Sequence, residues 1–133
     1  MKRTEAREQA FLLVFEKSFK DEPIPEIIED AKQARDFEED EFITKLVNGV
    51  FENLEEIDRK ISDNCKTWKL QRVSRVGLSL MRLACYEMLF EDSIPVSVSI
   101  NEAVELAKKF AGTDDSGYIN GVLGGIARSI EQK

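Results

Sequence analysis

The apolar side chains between residues 39 and 64 recur at alternating steps of four and three residues. This is the spacing of one face of an α-helix, and it predicts a single amphipathic helix of about seven turns. The residues that form this stripe are Ile43, Val47, Val50, Leu54, Ile57 and Ile61. Such a stripe can be a coiled-coil seam, but a run of about three heptads in a mixed sequence more often lines the core of a helical bundle.

Similar patterns predict further helices on both sides of this stretch. They cover residues 3–19, 24–35, 72–91 and 94–111, with a last helix that begins after a cap at Asp114, Asp115 or Ser116. Gly112 is expected to end the helix before it. We therefore predict an all-α fold of six to seven helices in two small packed helical bundles. They form a single domain over residues 1–133, with subdomains of about 1–66 and 67–133 that are joined by a link at 65–71.

The residue types of the chain argue against several kinds of function. There is no histidine, which removes the most common general base and the most common metal ligand. The two cysteines, Cys65 and Cys85, lack the spacing of a metal site or a redox motif. We therefore expect no catalysis, no metal and no cofactor. No apolar run reaches about 18 residues, and no apolar segment follows the charged N-terminus, so we expect a cytoplasmic protein with reduced thiols.

The charges of the chain are segregated along the sequence. The net charge of −7 argues against nucleic acid as a partner, but residues 64–86 hold five bases and no acid. Among these bases, Arg72 and Arg75 lie near the start of a predicted helix, where the helix dipole disfavours cations. This placement suggests a role for them outside the helix. Arg82 lies among apolar residues and is expected to pair with Glu87 or Glu102.

The start of the first predicted helix carries three basic side chains, Lys2, Arg3 and Arg7. Arg3 and Arg7 lie one helical turn apart, so they share a face. Glu5 and Glu8 alternate with them along the sequence. A helix end that is simply solvated is therefore the alternative to a ligand-binding face.

Phenylalanine recurs along the same helix at Phe11, Phe15 and Phe19. Together with a second apolar stripe, these rings make an apolar arc that is wider than a surface helix needs. Phe11 is predicted to lie in the core. Phe15 and Phe19 remain open between core packing and contact with a partner.

A short turn rich in Asp and Gly separates the last two predicted helices. It places Asp115 and Tyr118 shortly after the basic pair Lys108 and Lys109. A carboxylate and an aromatic ring beside two lysines could meet a ligand. Helix capping would explain Asp115 equally well.

Three motifs extend this interpretation. The segments LMRLACYEML at 80–89, IPVSVSINEAVELAKKF at 94–110 and YINGVLGGI at 118–126 closely resemble the NusB family of bacterial transcription antitermination factors. The opening helix, KRTEAREQAFLLVFE, is similar to that family as well, so the resemblance covers essentially the whole chain. It implies a protein that pairs with NusE, a small-subunit ribosomal protein, and binds boxA RNA in ribosomal RNA operon transcripts. The pair would join an RNA polymerase antitermination complex, without catalysis or a cofactor, and a homodimer is a further state that the family allows.

The resemblance also implies which residues meet RNA. The basic start of the first helix, at Lys2, Arg3 and Arg7, would contact phosphates. Tyr118 would stack on an unpaired base, and Asp115 would accept a hydrogen bond from a base edge. Lys108 and Lys109 would lie beside them on the same RNA-facing surface. Thr4 and Glu5 stand where further basic residues are common in the family, which predicts weaker RNA binding with a shallower salt dependence.

The remaining candidates are assigned to the protein partner. Phe15 matches an aromatic position on the side of the family's first helix that faces both the partner and RNA, and Phe19 extends the same surface. Arg72 and Arg75 fall in a region that borders NusE in the family. The alternative is a protein-only helical interaction module, in which these residues would bind a partner and RNA would play no part.

Overall fold

The structure is a computed structural model that describes residues 2–35, 37–65 and 73–131. Within these ranges the chain forms seven α-helices and no β-strand: α1 (Arg3–Lys17), α2 (Ile24–Ala34), α3 (Glu41–Glu52), α4 (Leu54–Asp63), α5 (Arg75–Phe90), α6 (Val96–Phe110) and α7 (Thr113–Glu131). The predicted all-α class is confirmed. None of these helices combines the length and apolar character needed to cross a bilayer. Arg72 and the predicted subdomain boundary near residue 66 lie outside the described residues.

Local chemistry explains where several helices begin and end. The Asp40 carboxylate accepts a hydrogen bond from the Phe42 N–H at 2.7 Å, which caps the start of α3. The Ser74 hydroxyl accepts from the Gly77 N–H at 3.0 Å and caps α5 in the same way. Gly112 has a φ of 104°, and its N–H donates to the Ala107 carbonyl at 2.9 Å. This closes α6 as predicted, because glycine adopts the left-handed conformation without steric cost.

The long helix predicted over residues 39–64 is wrong in one respect, because it is broken at Asn53 into α3 and α4. Asn53 has φ −117° and ψ 20°, outside the helical region. Its side-chain amide and its backbone N–H both donate to the Gly49 carbonyl, at 2.8 and 3.1 Å. A short polar side chain that bonds to the backbone in this way competes with helix continuation. The apolar stripe continues across the break, which is why periodicity did not reveal it.

Helix α5 lies at the centre of the fold. It packs against α1, α3, α4, α6 and α7. The core side chains that it supplies are Leu80, Met81, Leu83, Ala84, Cys85, Tyr86 and Met88. A helix that is apolar over most of its circumference is typical of a central position. Burial raises the pKa of the Cys85 thiol to about 12, so this thiol stays protonated and unreactive at neutral pH.

Alanine substitutions at Gly49 and Gly121 are expected to change the free energy of unfolding in opposite directions. A Cβ atom at Gly49 would overlap the ring of Tyr86, where α3 approaches α5 closely. We expect Gly49→Ala to lower the free energy of unfolding by about 1–3 kcal/mol through overpacking. Gly121 on α7 has open space around its Cβ position, so Gly121→Ala is expected to raise that free energy by about 0.5–1 kcal/mol. Urea denaturation followed by circular dichroism measures both, and equal effects of the two changes would contradict the close approach.

Two glycines of α7 differ in their surroundings. No neighbour within the described chain lies against the Cβ position of Gly121. Gly125 permits a close approach, because a Cβ atom there would overlap the side chain of Asn64.

Candidate nucleic-acid interface

Arg7 is buried, with 4% of its surface exposed. Its Nε donates to both carboxylate oxygens of Glu87 at 3.1 Å, and its Nη2 donates to one of them at 3.0 Å. Glu87 is 1% exposed and also accepts from the Ser99 hydroxyl at 3.2 Å. The Arg7 Nη1 reaches Glu102 at 3.4 Å. This arginine therefore joins α1, α5 and α6.

This placement corrects the prediction that Arg7 contacts RNA phosphates. Its guanidinium is already engaged by two carboxylates and is withdrawn from solvent. The prediction for Arg82 had the right kind of partner but the wrong residue. Arg82 makes two hydrogen bonds of 2.9 Å to Asp58 on α4, whereas Glu87 and Glu102 bind Arg7.

Lys2 and Arg3, at the start of α1, are exposed. The Arg3 guanidinium lies 3.9 Å from the centroid of the Phe42 ring, a cation–π contact that directs it toward α3. The two residues therefore remain available to a ligand.

An open groove of about 1100 Å³ lies beside Arg3, between the start of α1, the start of α3 and the connection from α5 to α6. Four carboxylates line this groove: Asp40, Glu41, Glu91 and Glu102. Arg3, Arg7 and Lys45 also line it, and Arg7 and Lys45 pair with Glu102 and Glu91. The lining therefore has only a small net negative charge, which does not attract phosphate.

Lys108 and Lys109 lie in the last turn of α6, where the helix dipole favours cations. Both are exposed. The Lys109 Nζ lies 2.7 Å from Glu8 on α1, and the Lys108 Nζ lies 3.3 Å from Glu105. Exposed ion pairs of this kind contribute only about 0–1 kcal/mol. A phosphate group can therefore replace either carboxylate at little cost.

The predicted turn before Tyr118 is helical, because α7 already begins at Thr113 and only two residues separate it from α6. Asp115 lies inside the first turn of α7, where it accepts a hydrogen bond from the Ser74 hydroxyl at 2.9 Å. It therefore ties the start of α7 to the start of α5. Tyr118 is half-buried against the core and already interacts within the molecule.

The end of α1 and the start of α5 form an aromatic and cationic patch, which we call the Phe19 patch and define as Phe15, Phe19 and Arg75. Phe15 is half-buried and Phe19 is 57% exposed, and their rings meet edge to face at 4.9 Å. The Arg75 guanidinium lies 4.4 Å from the Phe19 ring centroid and donates to the Ser18 carbonyl at 3.1 Å. The prediction that Phe11 belongs to the core is confirmed, since it is 1% exposed.

Helices α1 and α6 lie side by side and bring most of these residues along one edge. Thr4 contacts Glu102 at 2.9 Å, Glu8 contacts Lys109, and the Phe11 ring contacts that of Phe110. Glu8 is the α1 residue that contacts Lys109. Arg3 therefore lies about 8 Å from this contact along the axis of α1. The contacts at Asp115 and in the Phe19 patch continue this edge toward α5.

Phe110 is a surface residue that periodicity missed. It ends α6 and is 38% exposed, and no role was predicted for it from the sequence. The pattern that could have revealed it is the local run of two lysines and an aromatic residue directly before the helix end. Among the described residues, no cluster of three or more His, Cys, Asp or Glu side chains could hold a metal ion.

Comparison with known proteins identifies the family. The sequence model of the NusB family matches residues 4–128. The chain is 41% identical over 135 residues to the transcription antitermination protein NusB of Clostridium acetobutylicum, with 100% of both chains covered. NusB from T. maritima is 34% identical with a TM-score of 0.85, over 96% of this chain and 92% of that chain.

A structure of antitermination factors NusB and NusE in complex with dsRNA is also similar, at 26% identity and a TM-score of 0.85 over 96% of each chain. Fold and sequence thus agree over nearly the whole length. The chain belongs to the NusB family.

Proposed function

We propose that this chain is a transcription antitermination factor that pairs with NusE and binds boxA RNA in ribosomal RNA operon transcripts. The observation that carries the proposal is the likeness to a NusB structure in complex with NusE and dsRNA, which extends over 96% of both chains. In this role the protein supplies a preformed surface to an RNA polymerase complex, in the bacterial cytoplasm, and catalyses no reaction.

The RNA surface that we propose follows the edge between α1 and α6. Lys2, Arg3, Lys108 and Lys109 are exposed there and can contact phosphates. Because only a few cations are available, the affinity of the chain alone for RNA should be modest and should fall as salt is raised.

Asp115 and Tyr118 remain candidates for contact with bases at the start of α7. The Asp115 carboxylate is half-buried and bonded to Ser74, so its contact with a base edge would use its remaining acceptor capacity. Tyr118 could offer the exposed part of its ring.

The Phe19 patch is the surface that we propose for NusE, together with Arg72, which stays a prediction from the sequence. Phe19 has the largest exposed fraction among the exposed large apolar side chains of the described chain. A rigid ring held by an arginine is typical of the centre of a protein interface. A homodimer that uses Phe15 and Phe19 would cover the same patch, so NusE and self-association should compete.

A titration of labelled boxA RNA and a scrambled RNA of equal length, with and without NusE, tests the proposal. We expect a preference for boxA that increases when NusE is present, because the RNA then meets a larger surface. Equal binding of the two RNAs under both conditions would contradict the RNA function. If NusE binds the chain with the same affinity in the presence and in the absence of RNA, and neither RNA binds, the protein-only alternative is correct.

A further inference from the structure

Phe110 packs on a core ring and is also partly exposed. Its ring meets the buried ring of Phe11 at a centroid distance of 5.2 Å and an interplanar angle of 49°. The remaining 38% of its surface is exposed at the end of α6. The Lys109 Nζ lies 5.3 Å from the Phe110 ring centroid. An aromatic face and a cation are thus presented together to solvent.

We propose that Phe110 and Lys109 form a stacking site for one unpaired base of the bound RNA. The base would lie on the Phe110 ring, and a phosphate of the same strand would replace Glu8 as the partner of Lys109. Stacking platforms beside basic groups are the usual way in which proteins hold single-stranded nucleic acid. The inference rests on the proposed RNA function and names a base contact within it.

The other exposed aromatic rings of the described chain are less suitable for this role. The Arg75 guanidinium lies 4.4 Å from the Phe19 ring centroid, closer than the Lys109 Nζ lies to that of Phe110, and it is held there by its hydrogen bond to the Ser18 carbonyl. Phe90 packs on Tyr86 and is followed in the sequence by Glu91 and Asp92, whose charges repel phosphate. Phe110 instead follows two lysines at a helix end that favours cations.

The packing beneath Phe110 also favours a stacking role. The ring rests on Phe11, which belongs to the core, so its orientation is fixed before RNA binds. A side chain that is fixed in advance loses little conformational entropy when a base stacks on it.

The test uses Phe110→Leu, which keeps an apolar contact with Phe11 but removes the aromatic face. The matched control is Phe90→Leu, the same change at the ring that ends α5, which is 40% exposed. Circular dichroism melting confirms that each variant is folded. RNA binding is measured by fluorescence anisotropy with boxA RNA and with a series of boxA RNAs that each carry one abasic position.

We expect Phe110→Leu to weaken boxA binding by about 5- to 100-fold, while Phe90→Leu leaves RNA binding unchanged. Phe110→Tyr, which keeps a π face, should retain most of the affinity. At one abasic position the wild type and Phe110→Leu should bind equally, because the stacking partner is already missing. The slope of affinity against salt should be unchanged in Phe110→Leu, whereas Lys109→Ala should reduce it by about 0.7.

Two results would overturn the stacking site. One is wild-type affinity in Phe110→Leu, and the other is a loss that is equal for every abasic RNA. In both cases the wild type still binds boxA, so the proposed function stands. Failure of the wild type to distinguish boxA from scrambled RNA, with or without NusE, would instead overturn the proposed function and the stacking site with it.

Discussion

Replacing Arg7 by alanine is expected to lower the free energy of unfolding by about 3–5 kcal/mol. The change removes the bidentate partner of Glu87, which is 1% exposed. The carboxylate would then remain in the interior without its compensating charge, with the Ser99 hydroxyl as its remaining side-chain donor. Urea denaturation monitored by circular dichroism measures the loss.

The control is the double variant Arg7→Met with Glu87→Leu, which replaces both charges by apolar side chains of similar length. We expect it to recover most of the lost stability, because no uncompensated charge is left inside. A cost below about 1 kcal/mol for Arg7→Ala would instead indicate a solvated arginine. The result also bears on RNA experiments, since a reversal of charge at Arg7 would unfold the protein rather than report on phosphate contact.

Reversing the charge of both lysines at the end of α6, in Lys108→Glu with Lys109→Glu, is expected to weaken boxA binding by on the order of 10- to 100-fold at low salt. Both side chains are exposed, so the loss of stability should stay within about 1–2 kcal/mol, which comes from the helix dipole and the two surface ion pairs. The slope of affinity against salt should fall by about 0.7 for each phosphate contact that is lost. Filter binding at several salt concentrations gives both quantities.

Lys32→Glu with Arg59→Glu is the matched control, because it changes the net charge by the same amount. Lys32 and Arg59 lie on α2 and α4 and pair with carboxylates of their own surroundings. We expect this variant to retain most of the RNA affinity. Equal losses in the two double variants would show that overall charge, rather than the edge between α1 and α6, determines binding.

The helices could be predicted from the sequence because their apolar residues recur at a helical period. The break at Asn53 could not, since Val50 and Ile57 keep the same spacing on both sides of it and are both buried. The break depends on a hydrogen bond between the Asn53 side chain and the Gly49 carbonyl, and the choice between helix and cap at such a residue depends on its surroundings.

The candidate interface was less predictable, because exposure depends on contacts between distant parts of the chain. Arg3 and Arg7 look equivalent in sequence, yet Arg7 is bonded to Glu87, which lies 80 residues away. Phe110 has the spacing of a core residue, yet 38% of its surface is exposed at the end of α6. The sequence shows where the charged residues lie along each helix. Which of them pair with each other depends on how α1 packs against α5 and α6, and this could not be predicted from the sequence.

The contacts of Arg7 also affect how much conformational entropy is lost when RNA binds. One guanidinium joins three helices, so the spacing between Arg3 on α1 and Lys109 on α6 is fixed in the free protein. Only the tips of exposed side chains then remain to be immobilised, at about 0.5–1.5 kcal/mol each. Most of the entropy lost on association would therefore be that of the flexible RNA strand, which settles on a surface that is already in place.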